Sequence, residues 1–527
     1  MRLRSCVKPR SNGASRWGKF IGLLVCPRAE PCGGPHDTVT AQTAVRACTR
    51  AGGRRAGLTE IHWGWVILAA QSLLGASAAW HALLHKRDSR AALGWMAVAL
   101  TLPVAGALLY VLFGINRVRS RARRRRDGLP PPALRRAREE GEGARPAVLD
   151  DLARAGAAVT GLPLRPGNAV EALWNGEQAY PPMLDAIAEA ATSIDLATYI
   201  FENNALGRTF ADALIDARRR GVRVRTLIDG LGEWYSPGIG RRLRRGGVEL
   251  LRFNPLRPLP PNLNINLRNH RKLLLVDRQV AFTGGINIGD RHMLDPPRVR
   301  HPVADLHFRI RGPILQDLDA VFADIWQQAG GEDAETPPAH PKPGGPSHCR
   351  VIADGPDEHL DQLALVLQAA TGAARRSLRI MTPYFLPSRE LIAGLQSAAL
   401  RGVAVEILLP GLNNLAYVDW ATRHLLPELV QRGVRVHYQP PPFHHGKLVI
   451  VDDSYVLLGS ANIDPRSLRL NYELGVEVHD PVFAAQLSRE FRARVEGSRP
   501  VTRADLSTDS LAARTRNALC WLCSPYL

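Results

Sequence analysis

The chain has 527 residues, a formal net charge of +19 and a hydrophobic content of 45%, so it is long enough for several domains with large cores. Most of the positive charge lies in residues 1–60 and in an arginine cluster at 117–126. The remainder is far less basic than the total implies, which weakens a nucleic-acid-binding interpretation. The seven cysteines do not form the pattern of a disulfide scaffold.

Two apolar stretches follow a basic N-terminal segment. Residues 1–60 hold 11 Lys and Arg against three Asp and Glu, and we expect them to be disordered or to reflect a misassigned start. Residues 61–84 and 91–115 each run for about 24 residues without Asp, Glu, Lys or Arg, and a helix of that length, roughly 36 Å, can cross a bilayer. The sequence therefore predicts an α-helical transmembrane hairpin over residues 61–116.

The arginine cluster indicates the orientation of this hairpin. Seven Arg lie within residues 117–126, and by the positive-inside rule they favour a cytoplasmic location for the chain that follows. The same arginines suit anionic lipid headgroups. We expect residues 117–164 to be a basic tether, and the protein to be a multi-pass protein of the inner membrane.

The rest of the chain contains an internal duplication. Residues 190–229 and 372–410 both have the pattern of a strand, a short loop, an amphipathic helix, an Arg-Gly-Val turn and a second strand. Such alternation predicts an α/β fold. Tyr199 and Tyr384 occupy matching strand ends, where they either line a site or pack. The predicted segments are two domains at 165–330 and 348–500, a Pro/Gly-rich linker at 331–347 and a C-terminal tail at 501–527.

Each predicted domain contains the string H-x-K-x-x-x-x-D. The chain has only six Lys among its 68 basic residues, and two of the six stand in these strings. Alternation along a strand places His and Lys on one face. A Gly-small-x-Asn turn follows each string, where glycine permits close backbone approach to a ligand. The candidate residues are His270, Lys272, Asp277, Gly285 and Asn287 in the first copy, and His445, Lys447, Asp452, Ser460 and Asn462 in the second.

These residue types suit a phosphodiester. One histidine can attack phosphorus to form a phosphohistidine, while the other protonates the leaving alcohol and later deprotonates the incoming hydroxyl. The lysines and asparagines can hold the non-bridging oxygens, where negative charge develops. Because the lysines supply positive charge, we expect neither a metal nor another cofactor.

The two strings resemble the signature of the phospholipase D superfamily, a duplicated HKD motif followed by GGxN or GSxN. Residues 268–277 (RNHRKLLLVD) and 460–473 (SANIDPRSLRLNYE) are similar to bacterial cardiolipin synthases, and the likeness runs from about Trp63 to the C-terminus. The resemblance implies two pseudo-twofold-related α/β/α sandwich halves with one site at their interface. It also implies an acid after each motif that holds a histidine: Glu473 in the second half and Asp305 in the first.

The resemblance and the hairpin together favour phosphatidyl transfer between two phosphatidylglycerol molecules to give cardiolipin and glycerol. By family analogy, His270 is the expected nucleophile and His445 the acid and base. The expected partners are phosphatidylglycerol, other anionic phospholipids and the membrane, but not nucleic acid; the sequence does not indicate an oligomeric state. One alternative is hydrolysis of phospholipids by the same site. A membrane-tethered phosphodiesterase or nuclease is a weaker alternative, because no basic, aromatic groove is apparent.

Overall fold

A computed structural model of the chain describes residues 56–86, 88–115, 147–255, 266–296, 298–332, 341–507 and 510–524. The chain divides into two units, Met1–Ile115 and Asn116–Leu527. Three predicted features lie wholly or partly outside the described residues: the N-terminal extension, the arginine cluster with the first part of the tether, and the middle of the linker.

The first unit consists of helices that pack through small residues. Helix α1 (Ala56–His85) lies against α2 (Ser89–Thr101) and α3 (Pro103–Leu109), and a π-helical turn (Tyr110–Gly114) ends this second arm. Alanines of both arms form the contact, together with Tyr110, whose hydroxyl lies 2.8 Å from His81 Nδ1. Small side chains allow two helices to approach closely, as helix pairs in membranes do.

The second apolar stretch is not one continuous helix. Helix α2 ends at Thr101, Leu102 adopts a non-helical φ of −123° and ψ of 75°, and Pro103 begins α3. Proline has no N–H to donate and its ring clashes with the preceding turn, so the helix is interrupted there. Among the described residues, one helical segment, Trp63–His85, is long and apolar enough to cross a membrane. Of the two predicted spanning helices, the first is therefore a candidate for crossing a membrane by its length and composition.

A fifteen-stranded mixed sheet runs through the second unit. Its strands in the first half of the unit are β1 (Arg165–Trp174), β2 (Ser193–Thr198), β3 (Arg223–Asp229), β4 (Glu249–Phe253), β5 (Leu273–Val276), β6 (Val280–Gly284) and β8 (Leu306–Arg311). Those in the second half are β9 (Ser347–Asp354), β10 (Ser377–Met381), β11 (Ala404–Pro410), β12 (Arg435–Gln439), β14 (Leu448–Val451), β15 (Tyr455–Gly459), β16 (Glu473–His479) and β17 (Arg499–Pro500). A separate pair joins β7 (Val303–Ala304) to β13 (Phe443–His444).

The strand order makes the duplication visible in the sheet. From the central antiparallel pair of β1 and β9, the order outward is β8-β6-β5-β2-β3-β4 on one side. On the other side it is β16-β15-β14-β10-β11-β12, with β17 at the edge. Each half thus contains three parallel strands followed inward by antiparallel ones. The predicted α/β class and the predicted repeat are confirmed.

Helices cover both faces of this sheet. The helices of the first half are α5 (Asn175–Glu189), α6 (Ala205–Arg219), α7 (Gly230–Tyr235), α8 (Ile239–Arg245) and α9 (Leu315–Gln328). Those of the second half are α10 (Gln362–Ala373), α11 (Arg389–Leu400), α12 (Ala416–Val430) and α13 (Pro481–Glu496). Helices α9 and α13 share one apolar cluster that crosses both halves, whereas the other long helices pack in one cluster per half. Burial on both faces explains the unbroken apolar runs of β5 and β14.

Three further helices lie in segments that the sequence assigned to the tether and the tail. Helix α4 (Ala147–Thr160) packs Val148, Leu149 and Leu152 into the core of the second half. After α14 (Arg503–Ser507), helix α15 (Leu511–Leu522) packs against α12. These segments are therefore packed parts of the second unit, and the amphipathic pattern of α4 accounts for its burial.

Candidate active site

The two HKD motifs lie where the halves meet, and each is attached to the opposite half. The backbone N–H of His270 donates to the carbonyl of Tyr472 at 2.9 Å, and that of His445 donates to the carbonyl of Ala304 at 2.7 Å. A bridge between Asn269 and Tyr472 supports the first contact, and the pairing of β7 with β13 supports the second. Backbone hydrogen bonds across the interface therefore fix the positions of both histidines.

A buried carboxylate from the opposite half holds each imidazole. His270 Nδ1 lies 3.0 Å from Glu473 Oε2, and His445 Nδ1 lies 2.8 Å from Asp305 Oδ2. Both acids are almost fully buried. A carboxylate at Nδ1 holds the proton on that nitrogen and directs Nε2 toward the chemistry.

The two lysines lie beside the two histidines. Lys272 Nζ donates to the carbonyl of His270 at 2.9 Å, and Lys447 Nζ donates to the carbonyl of His445. Both side chains are buried, at 2% and 4% exposure. Burial lowers the pKa of Lys272 to about 7 and that of Lys447 to about 8, although the neighbouring carboxylates oppose this shift. A bound anion would raise both pKa values again, so that both ammonium groups carry their full charge.

The pKa values of both imidazoles and of Asp305 are all lowered, for different reasons. Burial lowers the pKa of His270, and it lowers that of His445 to about 3 with a further contribution from Lys447. Burial alone would raise the pKa of Asp305, but the positive charges of His445 and Lys447 hold it well below its usual range. Lys272 also contributes to the lowered pKa of His445, so groups of both halves interact in one site.

The Gly-small-x-Asn turns support the acids. A Cβ at Gly285 would clash with the carboxylate of Asp305, and Ser460 Oγ donates to Glu473 Oε2 at 2.5 Å. Because the two turns occupy matching positions after β6 and β15, each contacts the acid of its own half. The substrate contact that we expected for Gly285 and Ser460 stays a prediction.

The two asparagines of these turns, Asn287 and Asn462, are both buried. Asn287 is 7% exposed, and its Oδ1 accepts from the backbone N–H of Ile200 at 3.2 Å, which directs its amino group elsewhere. Asn462 is 5% exposed, and its Oδ1 has no hydrogen-bond partner among the described residues. Both amides remain candidates for contact with a phosphate.

The structure places the two motif aspartates away from the imidazoles. Asp277 accepts from the backbone N–H groups of residues 191–193 at 2.7–2.8 Å, and Asp452 accepts from those of residues 375–377 at 2.7–3.0 Å. A four-residue strand separates each Asp from its Lys, a distance of roughly 16 Å at about 3.3 Å per residue. Each carboxylate therefore joins a strand end to the start of the neighbouring strand.

One buried histidine near the site was not identified from the sequence. His292 is 1% exposed, its Nε2 accepts from the backbone N–H of Asn287 at 3.3 Å, and its Nδ1 lies 3.8 Å from Asp305 Oδ2. The proton of a neutral His292 then lies on Nδ1 and faces the carboxylate. The sequence feature that could have identified His292 is its position five residues after Asn287.

The paired tyrosines line the site. The ring of Tyr199 lies 5.2 Å from that of His270, and the ring of Tyr384 lies 6.3 Å from that of His445, both edge-on. The sequence left a lining role and a packing role open, and these distances favour the lining role. In the part of the chain that the structure describes, no group of three or more His, Cys, Asp or Glu is arranged to hold a metal ion.

Comparisons with known proteins agree with this architecture. The model of the family described as "Cardiolipin synthase, PLD-like domain" matches residues 183–326 and 367–495, and the "Phospholipase_D-nuclease N-terminal" model matches residues 73–114. Phosphatidylserine synthase of Haemophilus influenzae Rd KW20 has a similar fold, with a TM-score of 0.56 and 16% identity over 71% of this chain and 100% of that chain.

Curated relatives cover most of the chain. The major cardiolipin synthase ClsA of Bacillus subtilis (strain 168) is 31% identical over 84% of this chain and 95% of its own length. Cardiolipin synthase A of Pseudomonas syringae pv. syringae (strain B728a) is 33% identical over 83% of this chain and 92% of its own length. With the family model matching both halves of the sheet, the chain belongs to the cardiolipin synthase family of phospholipase D-like proteins.

Proposed function

We propose that this chain is a cardiolipin synthase, a phosphatidyltransferase that joins two phosphatidylglycerol molecules into cardiolipin and releases glycerol. The observation that carries the proposal is the pair of imidazoles, each hydrogen-bonded through Nδ1 to an acid of the opposite half. Membership of the family and the buried lysine beside each imidazole support it.

The first step cleaves phosphatidylglycerol. His270 Nε2 attacks phosphorus, the bond from phosphorus to the glycerol oxygen breaks, and His445 Nε2–H gives its proton to that oxygen. Burial lowers the pKa of His445, and the incoming phosphate anion favours its protonated form. Glycerol leaves, and the phosphatidyl group stays on His270.

The second step forms cardiolipin. A hydroxyl of a second phosphatidylglycerol gives its proton to His445 Nε2 and attacks the same phosphorus, and the phosphorus–nitrogen bond to His270 breaks. Lys272 and Lys447, with Asn287 and Asn462, hold the non-bridging oxygens on which charge increases in both transition states. Transfer to lipid rather than to water requires that water be kept out of this buried site.

A membrane hairpin fits this substrate. The candidate span Trp63–His85 lies in α1, and large apolar side chains such as Leu73 and Leu93 are exposed on both arms, at 68% and 69%. We propose that α1 and the interrupted second arm insert together, with their alanines in contact and their leucines toward lipid. The arginine cluster at 117–126 then keeps the catalytic unit on the cytoplasmic side.

The purified full chain supplied with phosphatidylglycerol as its only lipid tests the proposed function. We expect cardiolipin and glycerol in equal amounts, measured by mass spectrometry of the lipids and an enzymatic glycerol assay. Formation of phosphatidic acid without cardiolipin would contradict transfer and indicate hydrolysis. A variant that lacks both site histidines serves as the control for contaminating activity.

We propose that the motif aspartates stabilise the fold and take no part in the chemistry. Asp452→Asn should lower the free energy of unfolding by about 2 kcal/mol, because an amide cannot accept well from three backbone N–H groups at once. Turnover per folded molecule should stay within a few fold of that of the parent enzyme. Thermal unfolding and cardiolipin synthesis measure the two effects; unchanged stability with lost turnover would assign the carboxylate to catalysis instead.

A further inference from the structure

Large apolar side chains are exposed close to the site in the first half. Helix α7 begins directly after β3, and Gly232 in it packs so closely on the backbone of Tyr199 that a Cβ would clash there. Tyr199 in turn contacts His270. Trp234 and Tyr235, two and three residues beyond Gly232, are 67% and 60% exposed, so the segment that contacts Tyr199 also carries two exposed aromatic side chains.

The second half repeats this arrangement after β11. Tyr384, which contacts His445, donates through its hydroxyl to Asn414 Oδ1 at 2.7 Å. On either side of Asn414, Leu412 is 51% exposed and Tyr417 is 43% exposed. The connection after β11 thus carries exposed apolar side chains near Tyr384, on the side of the site that contains His445.

Both segments place a second tyrosine near the site tyrosine. Tyr235 is close enough to Tyr199, and Tyr417 to Tyr384, for each neighbour to contribute to the raised pKa of the site tyrosine, after the larger effect of burial. We call Trp234, Tyr235, Leu412 and Tyr417 the aromatic rim. Its members lie in the segments that follow β3 and β11, close to the two tyrosines that contact the site histidines.

The chemistry of the aromatic rim is typical of surfaces that contact a bilayer. Trp234 and Tyr235 pack edge-on with ring centroids 5.5 Å apart, and both remain exposed. Trp and Tyr favour the membrane–water interface, because each combines an apolar ring with a polar atom. Arg466 also lies close enough to Tyr199 to act on its pKa, so positive charge accompanies the rim and complements anionic headgroups.

We propose that the aromatic rim docks the catalytic unit onto the interface of an anionic phospholipid bilayer, so that a lipid headgroup enters the site while its acyl chains stay in the membrane. This inference rests on the proposed function for the identity of the substrate. The residues of the aromatic rim do not touch the reacting atoms. Their role is to bind the bilayer, so that a lipid embedded in it reaches the two histidines.

The test compares embedded with dissolved substrate, using the full chain reconstituted in vesicles and the double variant Trp234→Ala/Tyr235→Ala. On phosphatidylglycerol in the same vesicles, the variant should be slower by about tenfold or more, as expected when two aromatic side chains no longer bury apolar area. On dihexanoyl phosphatidylglycerol dissolved as monomers, with the enzyme in phosphatidylcholine vesicles, its rate should remain within about twofold of the parent rate. Leu400→Ala, at the end of α11 next to the start of β11 and 69% exposed, is the matched control and should match the parent on both substrates.

An equal loss on both substrates, or no loss on either, would overturn docking by the rim. A change in oligomeric state without a loss specific to vesicles would overturn it in favour of contact between copies. Quenching of tryptophan fluorescence by brominated lipids provides a readout independent of turnover: it should be weaker in Trp234→Phe than in the parent. If the parent enzyme makes no cardiolipin from either substrate, the proposed function fails, whereas the quenching difference still decides whether the rim meets lipid.

Discussion

Replacing either His270 or His445 with alanine is expected to lower the rate of cardiolipin formation by roughly 10⁴-fold or more. Neither imidazole has a substitute, because the acid and the backbone contact that hold each one belong to the opposite half and are specific to its position. The rate is measured with vesicles of phosphatidylglycerol. His424→Ala, in α12 outside the site, should retain activity.

The division of tasks between the histidines predicts different behaviour with an activated substrate. Phosphatidyl-p-nitrophenol needs no acid for its leaving group, so His445→Ala should release about one equivalent of nitrophenol per enzyme and then stop. His270→Ala should release none. Steady turnover by either variant would contradict the two-histidine mechanism, and a burst from His270→Ala instead of His445→Ala would reverse the proposed order.

Replacing either lysine with methionine should lower turnover by about 10²–10³-fold, because each ammonium group faces charge that grows in the transition state. Both side chains are buried beside an imidazole. Arginine should recover less than about a tenth of the lost activity, since its planar fork does not fit the space of a compact ammonium group. The measurement is the rate of cardiolipin formation at saturating phosphatidylglycerol.

The control for the lysine variants is Lys342→Met, which removes an exposed lysine from the predicted linker and should leave turnover unchanged. Unfolding temperatures should be recorded in parallel, because a buried lysine replaced by methionine can also alter stability. Turnover of Lys272→Met or Lys447→Met within tenfold of the parent would show that the ammonium groups do not stabilise the transferring phosphoryl group.

The sequence predicted the α/β class and singled out the candidate site residues because both depend on local patterns. The alternation of strands and helices, repeated in two halves, predicted the α/β sheet, and the two HKD strings located His270 and His445. The exchange of acids between the halves was not predictable, because Glu473 and Asp305 reach their histidines only across the assembled interface. Similarly, the motif suggested that Asp277 belongs to the site, whereas the length of β5 carries it to the other end of the strand.

Other differences arise because a local pattern does not show which part of the fold a segment packs against. The helix of residues 147–160 was assigned to the tether because the segment before it is polar, and only the core of the second half reveals what its apolar face contacts. His292 reaches Asp305 because a short 3₁₀ turn at Asp290–His292 folds back toward the site. The aromatic rim also depends on tertiary structure, since exposure of a tryptophan cannot be derived from its neighbours in sequence.

The most direct test of the two-histidine account is to trap the covalent intermediate. His445→Ala is mixed with phosphatidyl-p-nitrophenol, quenched in alkali, under which phosphohistidine survives, and digested for peptide mass spectrometry. The account predicts a phosphatidyl adduct, or its phosphate remnant, on His270 in the peptide that contains Lys272. Absence of any adduct in both single-histidine variants, with nitrophenol still released by the parent enzyme, would contradict transfer through a phosphohistidine.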